Sequence, residues 1–211
     1  FAEQFPDPIF IQTENAGGMI KADRLPIVKS IGEFYEQLTA VAKGELGDHK
    51  TLVVDSLKSL EQLIVKDVCA KRGINCLDDV DYGKAYGEAM GGWHKLLDWL
   101  DRLVENGVHV VLLAHIAPRI VKDPRMDEYE STSLDLMVWG KTYNPTNNIV
   151  CWADCVFYLA HELFTKSEGT GIGGKRTTAM SSGNRIIYTE ERPAYLAKNR
   201  FDMPAELPFN K

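Results

Sequence analysis

Apolar and polar residues fall along this chain in blocks whose lengths separate strands from helices. Pro8-Ile9-Phe10-Ile11-Gln12-Thr13 and Thr51-Leu52-Val53-Val54-Asp55 are short apolar runs that each end abruptly in polar residues. Unbroken runs of this length predict strands buried on both faces, the habit of a parallel sheet. Val108–Ala114 is a third such run and stops at His115. Between the runs the spacing turns helical. Ser30 followed by Glu33 is a capping box that opens a helix running to about Gly44. Leu60, Leu63, Ile64 and Val68 line one face of a helix from Leu57 to Lys71, which Gly73 stops. Met90, Trp93, Leu97, Leu100 and Val104 repeat along a second long helix that Gly107 closes. Strands alternating with helices predict an α/β fold: a doubly wound, mostly parallel sheet flanked by helices, with right-handed crossovers.

Beyond His115 the texture changes. Residues 116–148 are polar and weakly periodic, carry Pro118, Pro124 and Pro145, and read as one long loop. A loop of that length in a compact domain is functional or mobile as a rule. Asp154–Ala160, Asn184–Glu190 and Ala194–Lys198 read as shorter strands, a β-rich C-terminal edge to the sheet. No internal repeat or low-complexity segment interrupts the chain, and residues 1–211 read as one domain.

Composition narrows the class. Hydrophobic residues make up 45% and charged residues 26%, the balance of a globular chain. No apolar run approaches the ~20 residues that span a bilayer, so no membrane partner is expected. Cys69, Cys76, Cys151 and Cys155 lack paired C-x-x-C spacing; Cys151 and Cys155, four apart in an apolar stretch, read as small core residues, and a reducing, cytoplasmic setting follows. The net charge of −6 argues weakly against nucleic acid. The acidity sits in the first half, however, so local loops further on can still face a polyanion.

The chemistry gathers at strand ends, where ligands sit in such sheets. Glu14 follows the first strand, Asp55 and Ser56 follow the second, and His115 follows the third. That set matches the needs of phosphoryl transfer: Glu14 to polarise an attacking water, Asp55 to hold the water shell of a magnesium ion, and His115 to sense the γ-phosphate. The heptapeptide Gly169–Lys175 satisfies G-x-x-x-x-G-K, yet Arg176 stands where Ser or Thr should bind magnesium, and a β-rich stretch follows in place of a helix. It reads as a hairpin tip.

With these motifs the chain resembles the RecA/RadA branch of P-loop ATPases, and within it the phage-encoded proteins of the single-strand-annealing and recombination type. Phe10–Glu14 is similar to the strand that ends in the catalytic glutamate of that branch, Leu52–Ser56 to its Walker B strand, and Val110–His115 to its sensor strand, where many members carry glutamine last. The likeness runs on through Tyr82-Gly83-Lys84 and through the stretch ending Lys198-Asn199-Arg200-Phe201. It implies a RecA-like core that binds ATP and magnesium and self-assembles into a ring or filament with nucleotide at the subunit interfaces. Lys198 and Arg200 would then reach the γ-phosphate of the neighbouring subunit; read alone, the triplet is an exposed basic turn. The resemblance also implies single-stranded DNA as partner. Tyr82 and Lys84 match a first DNA loop, and the segment from Arg119 to Lys141, with Lys122, Arg125 and Trp139, matches a second. The phosphate-cradling loop of the branch is expected immediately before Phe1. A non-hydrolysing RecA-fold interaction module and a ring-forming helicase-like ATPase stay open as alternatives.

Overall fold

The computed structural model describes residues 1–15, 18, 20–168 and 176–209, so the Gly169–Lys175 heptapeptide lies outside the described residues. Its elements are β1 (Pro8–Gln12), β2 (Asp23–Arg24), α1 (Ile31–Ala42), β3 (Thr51–Asp55), α2 (Leu57–Arg72), α3 (Lys84–Glu105), β4 (His109–Leu113), β5 (Ile116–Val121), β6 (Tyr129–Leu134), α4 (Pro145–Trp152), β7 (Cys155–Val156), β8 (Tyr158–Glu168), β9 (Arg176–Tyr188), β10 (Lys198–Asn199) and β11 (Glu206–Pro208). They divide into two compact units, one of residues 1–117 and 134–149 and a second of residues 118–133 and 150–211.

The first unit is built on a parallel sheet in the order β2-β1-β3-β4. The three apolar runs form its long strands. Leu52, Val53 and Val54 are fully buried at the centre, and Ile9, Phe10 and Ile11 nearly so beside them. Pairing sets Phe10 against Val53 and Val53 against Val111, which puts these side chains on one face. There they pack with Ala2, Ile20, Ala22 and Leu113. Both long crossovers, through α1 and through α2 and α3, step the same way along the sheet, so right-handedness sends these helices to the opposite face. Phe34 and Leu38 of α1, Leu57 and Leu60 of α2, and Trp93, Leu96 and Leu100 of α3 are buried. Gly92 lets α2 and α3 approach closely: a Cβ there would stand 2.7 Å from Ile64 Cγ2. Half of the expected capping box forms at α1: Glu33 N–H donates to Ser30 Oγ at 3.1 Å, while the Glu33 carboxylate accepts from Lys29 N–H at 2.7 Å. Leu103 rather than Val104 takes the last buried place on α3; Val104 is exposed.

A charged group lies inside this apolar packing. Glu61 of α2 is 3% exposed and accepts from Met137 N–H at 3.0 Å and from Tyr143 Oη–H at 3.0 Å. Tyr143 in turn accepts from Trp93 Nε1–H at 2.9 Å. Lys58 Nζ stands 3.8 Å from Glu61 and 3.1 Å from Asp135. Burial raises the pKa of Glu61 above the ordinary glutamate value, against the pull of these donors. The network fastens residues 135–143 to α2 and α3.

The second unit is antiparallel. β8 and β9 form a long hairpin with β11 beside β9, while β7 pairs with β10. The expected short strands are therefore longer or shorter than their apolar signal, and they make sheets of their own. The segment expected as a single loop, 116–148, contains the paired strands β5 and β6 and the start of α4. Cys151, expected in the core, is exposed on the last turn of α4, and Cys155 is half-buried, because the helix ends there and the apolar stretch does not continue as one face.

Tyr143→Phe should lower stability by about 1–3 kcal/mol, because it leaves Trp93 Nε1–H buried without its partner and takes from the buried Glu61 one of its donors, leaving Met137 N–H. Urea unfolding at neutral pH measures the loss.

Candidate active site

Parallel pairing brings the C-terminal ends of β1, β3 and β4 side by side, with Gln12 opposite Asp55 and Asp55 opposite Leu113. Two residues past Gln12 lies Glu14, and two past Leu113 lies His115. These side chains meet across the tip of the central strand: His115 Nε2 stands 3.0 Å from Glu14 Oε1. The other oxygen, Oε2, accepts from Ser59 Oγ–H at 2.8 Å in the first turn of α2.

Thr13 bolts the ends of β1 and β3 together. Its N–H donates to Asp55 O at 2.7 Å, its hydroxyl donates to Ser56 O at 2.8 Å, and the same oxygen accepts from Ser56 N–H at 2.8 Å. The Asp55–Ser56 peptide is cis. Ser56 opens α2 as its N-cap residue, yet its hydroxyl caps no backbone N–H. Ser56 Oγ is buried and has no hydrogen-bond partner among the described residues. His115 is tied through its backbone, since Asp135 N–H donates to His115 O at 2.8 Å.

The two acids are driven in opposite directions. Burial raises Glu14, but hydrogen bonding from Ser59 and His115, with a weaker pull from the nearby Ser56 hydroxyl that falls short of hydrogen-bond geometry, holds it below the ordinary glutamate value. Burial and then the Glu14 charge push Asp55 above the ordinary aspartate value, with His115 opposing. One acid is thus held ionised and poised, and its neighbour is short of positive charge.

That deficit is the test for a divalent cation. An ionised Asp55 beside Glu14 gains from a positive charge, and the orphaned Ser56 hydroxyl offers one further oxygen. Among the described residues no group of three or more His, Cys, Asp or Glu side chains is arranged to hold a metal by itself. Such a donor set suits magnesium, which keeps most of its waters and leans on one or two carboxylates and the substrate phosphates. Asp55 and Ser56 fit that role.

The family model of the AAA domain matches residues 1–201. The chain belongs to the AAA domain family. This is a family of P-loop ATPases, and a nucleotide-binding, ATPase-type function follows for the chain. Neither the curated proteins nor the solved structures that were searched include a match. Among the described residues no helix of this AAA domain is long and apolar enough to cross a membrane.

Four of the strand-end residues read from the sequence, Glu14, Asp55, Ser56 and His115, come together in the first unit of the AAA domain. Tyr82, Lys84 and Lys141 lie in the same unit, and their loops share a support. Trp139 stacks on Tyr86 with centroids 4.6 Å apart and planes at 8°. It rests directly over Gly83, where φ is +66° and a Cβ would sit 2.3 Å from the indole, so only glycine fits. Tyr82, next to Gly83 in the chain, stands 93% exposed, and Lys84 and Lys141 are exposed as well. Of the remaining candidates, Arg119 lies on β5 and Lys122 pairs with Glu128 at 2.8 Å. Arg125 is bound to Asp123.

Lys198 and Arg200 lie in the second unit and close the C-terminus of α4. Lys198 Nζ donates to the carbonyls of Val150 at 2.7 Å, Cys151 at 3.1 Å and Ala153 at 2.7 Å. Arg200 donates to Asp154 at 2.9 Å and to Cys151 O at 3.2 Å. Cations on the last carbonyls of a helix satisfy both its open acceptors and its dipole.

Thr13, Ser59, Lys58 and Glu61 were not singled out from the sequence. For Glu61 a signal existed: it breaks the apolar row Leu57, Leu60, Ile64, Val68. An acid on a buried helical face needs partners; Lys58 at i−3 is the local one, and Met137 and Tyr143 come from far along the chain.

Asp55→Asn should raise the melting temperature of the nucleotide-free protein by roughly 2–4 °C at neutral pH. A carboxyl whose folded value lies above its unfolded one costs stability once ionised. That cost is absent in acid and grows as pH rises through the raised value. The gain from the variant therefore fades as pH falls through the carboxylate range, which melts across pH 3–7 would record.

Proposed function

We propose that this AAA domain is a magnesium-dependent, RecA-like ATPase that acts on single-stranded DNA in phage recombination or strand annealing. The observation that carries the reading is the 3.0 Å contact of Glu14 with His115 across the Asp55 tip. A base, a cation-holding acid and a phosphate-sensing imidazole on adjacent strand ends are the parts hydrolysis of a γ-phosphate calls for.

In this reading Glu14 accepts the proton of a water. The water oxygen bonds to the γ-phosphorus, the bond from that phosphorus to the bridging oxygen breaks, and ADP leaves. Magnesium, held through water by Asp55 with Ser56 beside it, would supply charge neutralisation at the phosphates. His115 exchanges its bond to Glu14 for one to the γ-phosphate. Its backbone bond to Asp135, and the Lys58–Asp135 and Glu61–Met137 contacts beyond, link that exchange to the loop carrying Trp139.

The exposed aromatic and basic surface of Tyr82, Lys84, Trp139 and Lys141 supports single-stranded DNA as partner: rings on which bases stack, with ammonium groups for the phosphates. Arg119 and Lys122, in the second unit, are further candidate contacts. Assembly into a ring or filament would bring the KNR segment to a neighbour's nucleotide. There Arg200, half exposed at 50%, is better suited to reach across than Lys198, whose three donors are taken by α4. The setting in this reading is the cytoplasm of the phage host.

Glu14→Gln in the full-length protein should cut ATP turnover by roughly 10²-fold or more while nucleotide binding persists, as read by steady-state phosphate release and by equilibrium binding. Unchanged turnover would remove Glu14 from the mechanism. Tyr82→Ala should weaken binding of a fluorescent oligothymidylate by about 1–3 kcal/mol. Lys84→Ala with Lys141→Ala should flatten the slope of log affinity against log salt by about 1.4, or about 0.7 per phosphate contact.

A further inference from the structure

The two bonds on Glu14 differ in kind. Ser59 sits in the first turn of α2, between Leu57 and Leu60, which are 1% and 0% exposed, so its backbone is immobilised by the core. His115 lies past the end of β4, and its ring is 59% exposed against 26% for Glu14. One carboxylate oxygen is therefore tied to a fixed helical turn and the other to a ring with room to rotate. A base that serves a single water needs one oxygen turned toward it and the carboxylate plane held.

We infer that Ser59 is a positioning residue for Glu14, fastening Oε2 so that Oε1, the oxygen shared with His115, is the one basic face offered to a water. The inference rests on the reading of Glu14 as the base, and it deepens that reading by naming what aims the carboxylate. The alternative for Ser59 is an ordinary helix-start hydroxyl bonding back to its own backbone. The observed bond runs instead to a residue 45 positions away, on another strand end. The other hydroxyl at this helix start, Ser56, lies near Glu14 but falls short of hydrogen-bond geometry, so the bond that fixes Oε2 is the one from Ser59.

A positioning bond of this kind leaves a mark that simple packing does not. The charged groups facing Glu14 are Asp55 from β3 and His115 from beyond β4, and the hydroxyls come from α2. Removing the Ser59 donor takes away the foremost of the bonds that counter burial, so the Glu14 carboxyl should titrate at higher pH. Restoring a hydroxyl at the same place should restore the value.

The experiment follows the ¹³C resonance of the Glu14 side-chain carboxyl through a pH titration in nucleotide-free, full-length protein, for wild type, Ser59→Ala and Ser59→Thr. In parallel, ATP turnover is measured against pH. The expected result is an upward move of the Glu14 midpoint in Ser59→Ala and its return in Ser59→Thr. The acid limb of kcat should move the same way, with kcat lowered roughly tenfold to a hundredfold and KM for ATP little changed. An unmoved midpoint in Ser59→Ala, or a moved one that Ser59→Thr does not bring back, overturns the inference. Wild-type protein whose turnover is indifferent to Glu14→Gln overturns the underlying reading instead, and the carboxyl titration separates the two failures.

Discussion

Complete burial of β3 is the constraint from which the site follows. Leu52, Val53 and Val54 have no exposed surface, and the strand is paired on both edges, by β1 and by β4. Polar groups cannot leave such a strand sideways without losing their hydrogen bonds, so they emerge at its end. Parallel pairing then makes three ends coincide. Each apolar side chain buried there is worth about 1.5–3 kcal/mol relative to exposure. That energy holds Asp55 in a position where its own ionisation is disfavoured.

The part of the fold legible in the sequence is the part whose signal is local. The three long strands and three helices of the first 115 residues follow from apolar runs and helical spacing, and their ends fall within a residue or two of expectation; the two-residue edge strand β2 carries no such signal. β5 and β6 were not legible: Pro118 and alternating exposed positions in Ile116–Val121 give no buried run. α4 carries a signal of its own in Asn144-Pro145, with proline at the first helical position and Asn144 Oδ1 accepting from Asn147 N–H at 3.2 Å. The weakly periodic window of 33 residues around it hides it. At the site, acids and the histidine at strand ends stand out because apolar runs point to them. Ser59 and Thr13 do not, since a hydroxyl in a helix or at a strand end has many uses, and only the register of β1 against β3 selects this one.

The KNR triplet shows how one sequence supports two readings at once. Three backbone carbonyls at the end of α4 lack intrahelical donors, and an ammonium group has three N–H bonds to give. The match accounts for a lysine at position 198 without any second subunit. The guanidinium of Arg200 has five donors and uses part of that capacity on Asp154 and Cys151. Two basic residues separated by one position are therefore unequal in what they have left to offer.

Trp139 lying over Gly83 has an optical consequence. The chain holds four tryptophans, and Trp139 is the most open to solvent, whereas Trp93 is sealed in the core with its N–H on Tyr143. Tyr143 touches both indoles, pairing through its backbone with Trp139 and accepting at its hydroxyl from Trp93 of α3. A collisional quencher dissolved in water reaches the outer indole and spares the inner one. In a chain whose two other tryptophans, Trp99 and Trp152, are replaced by phenylalanine, intrinsic emission would report on the surface and the core around Tyr143 separately.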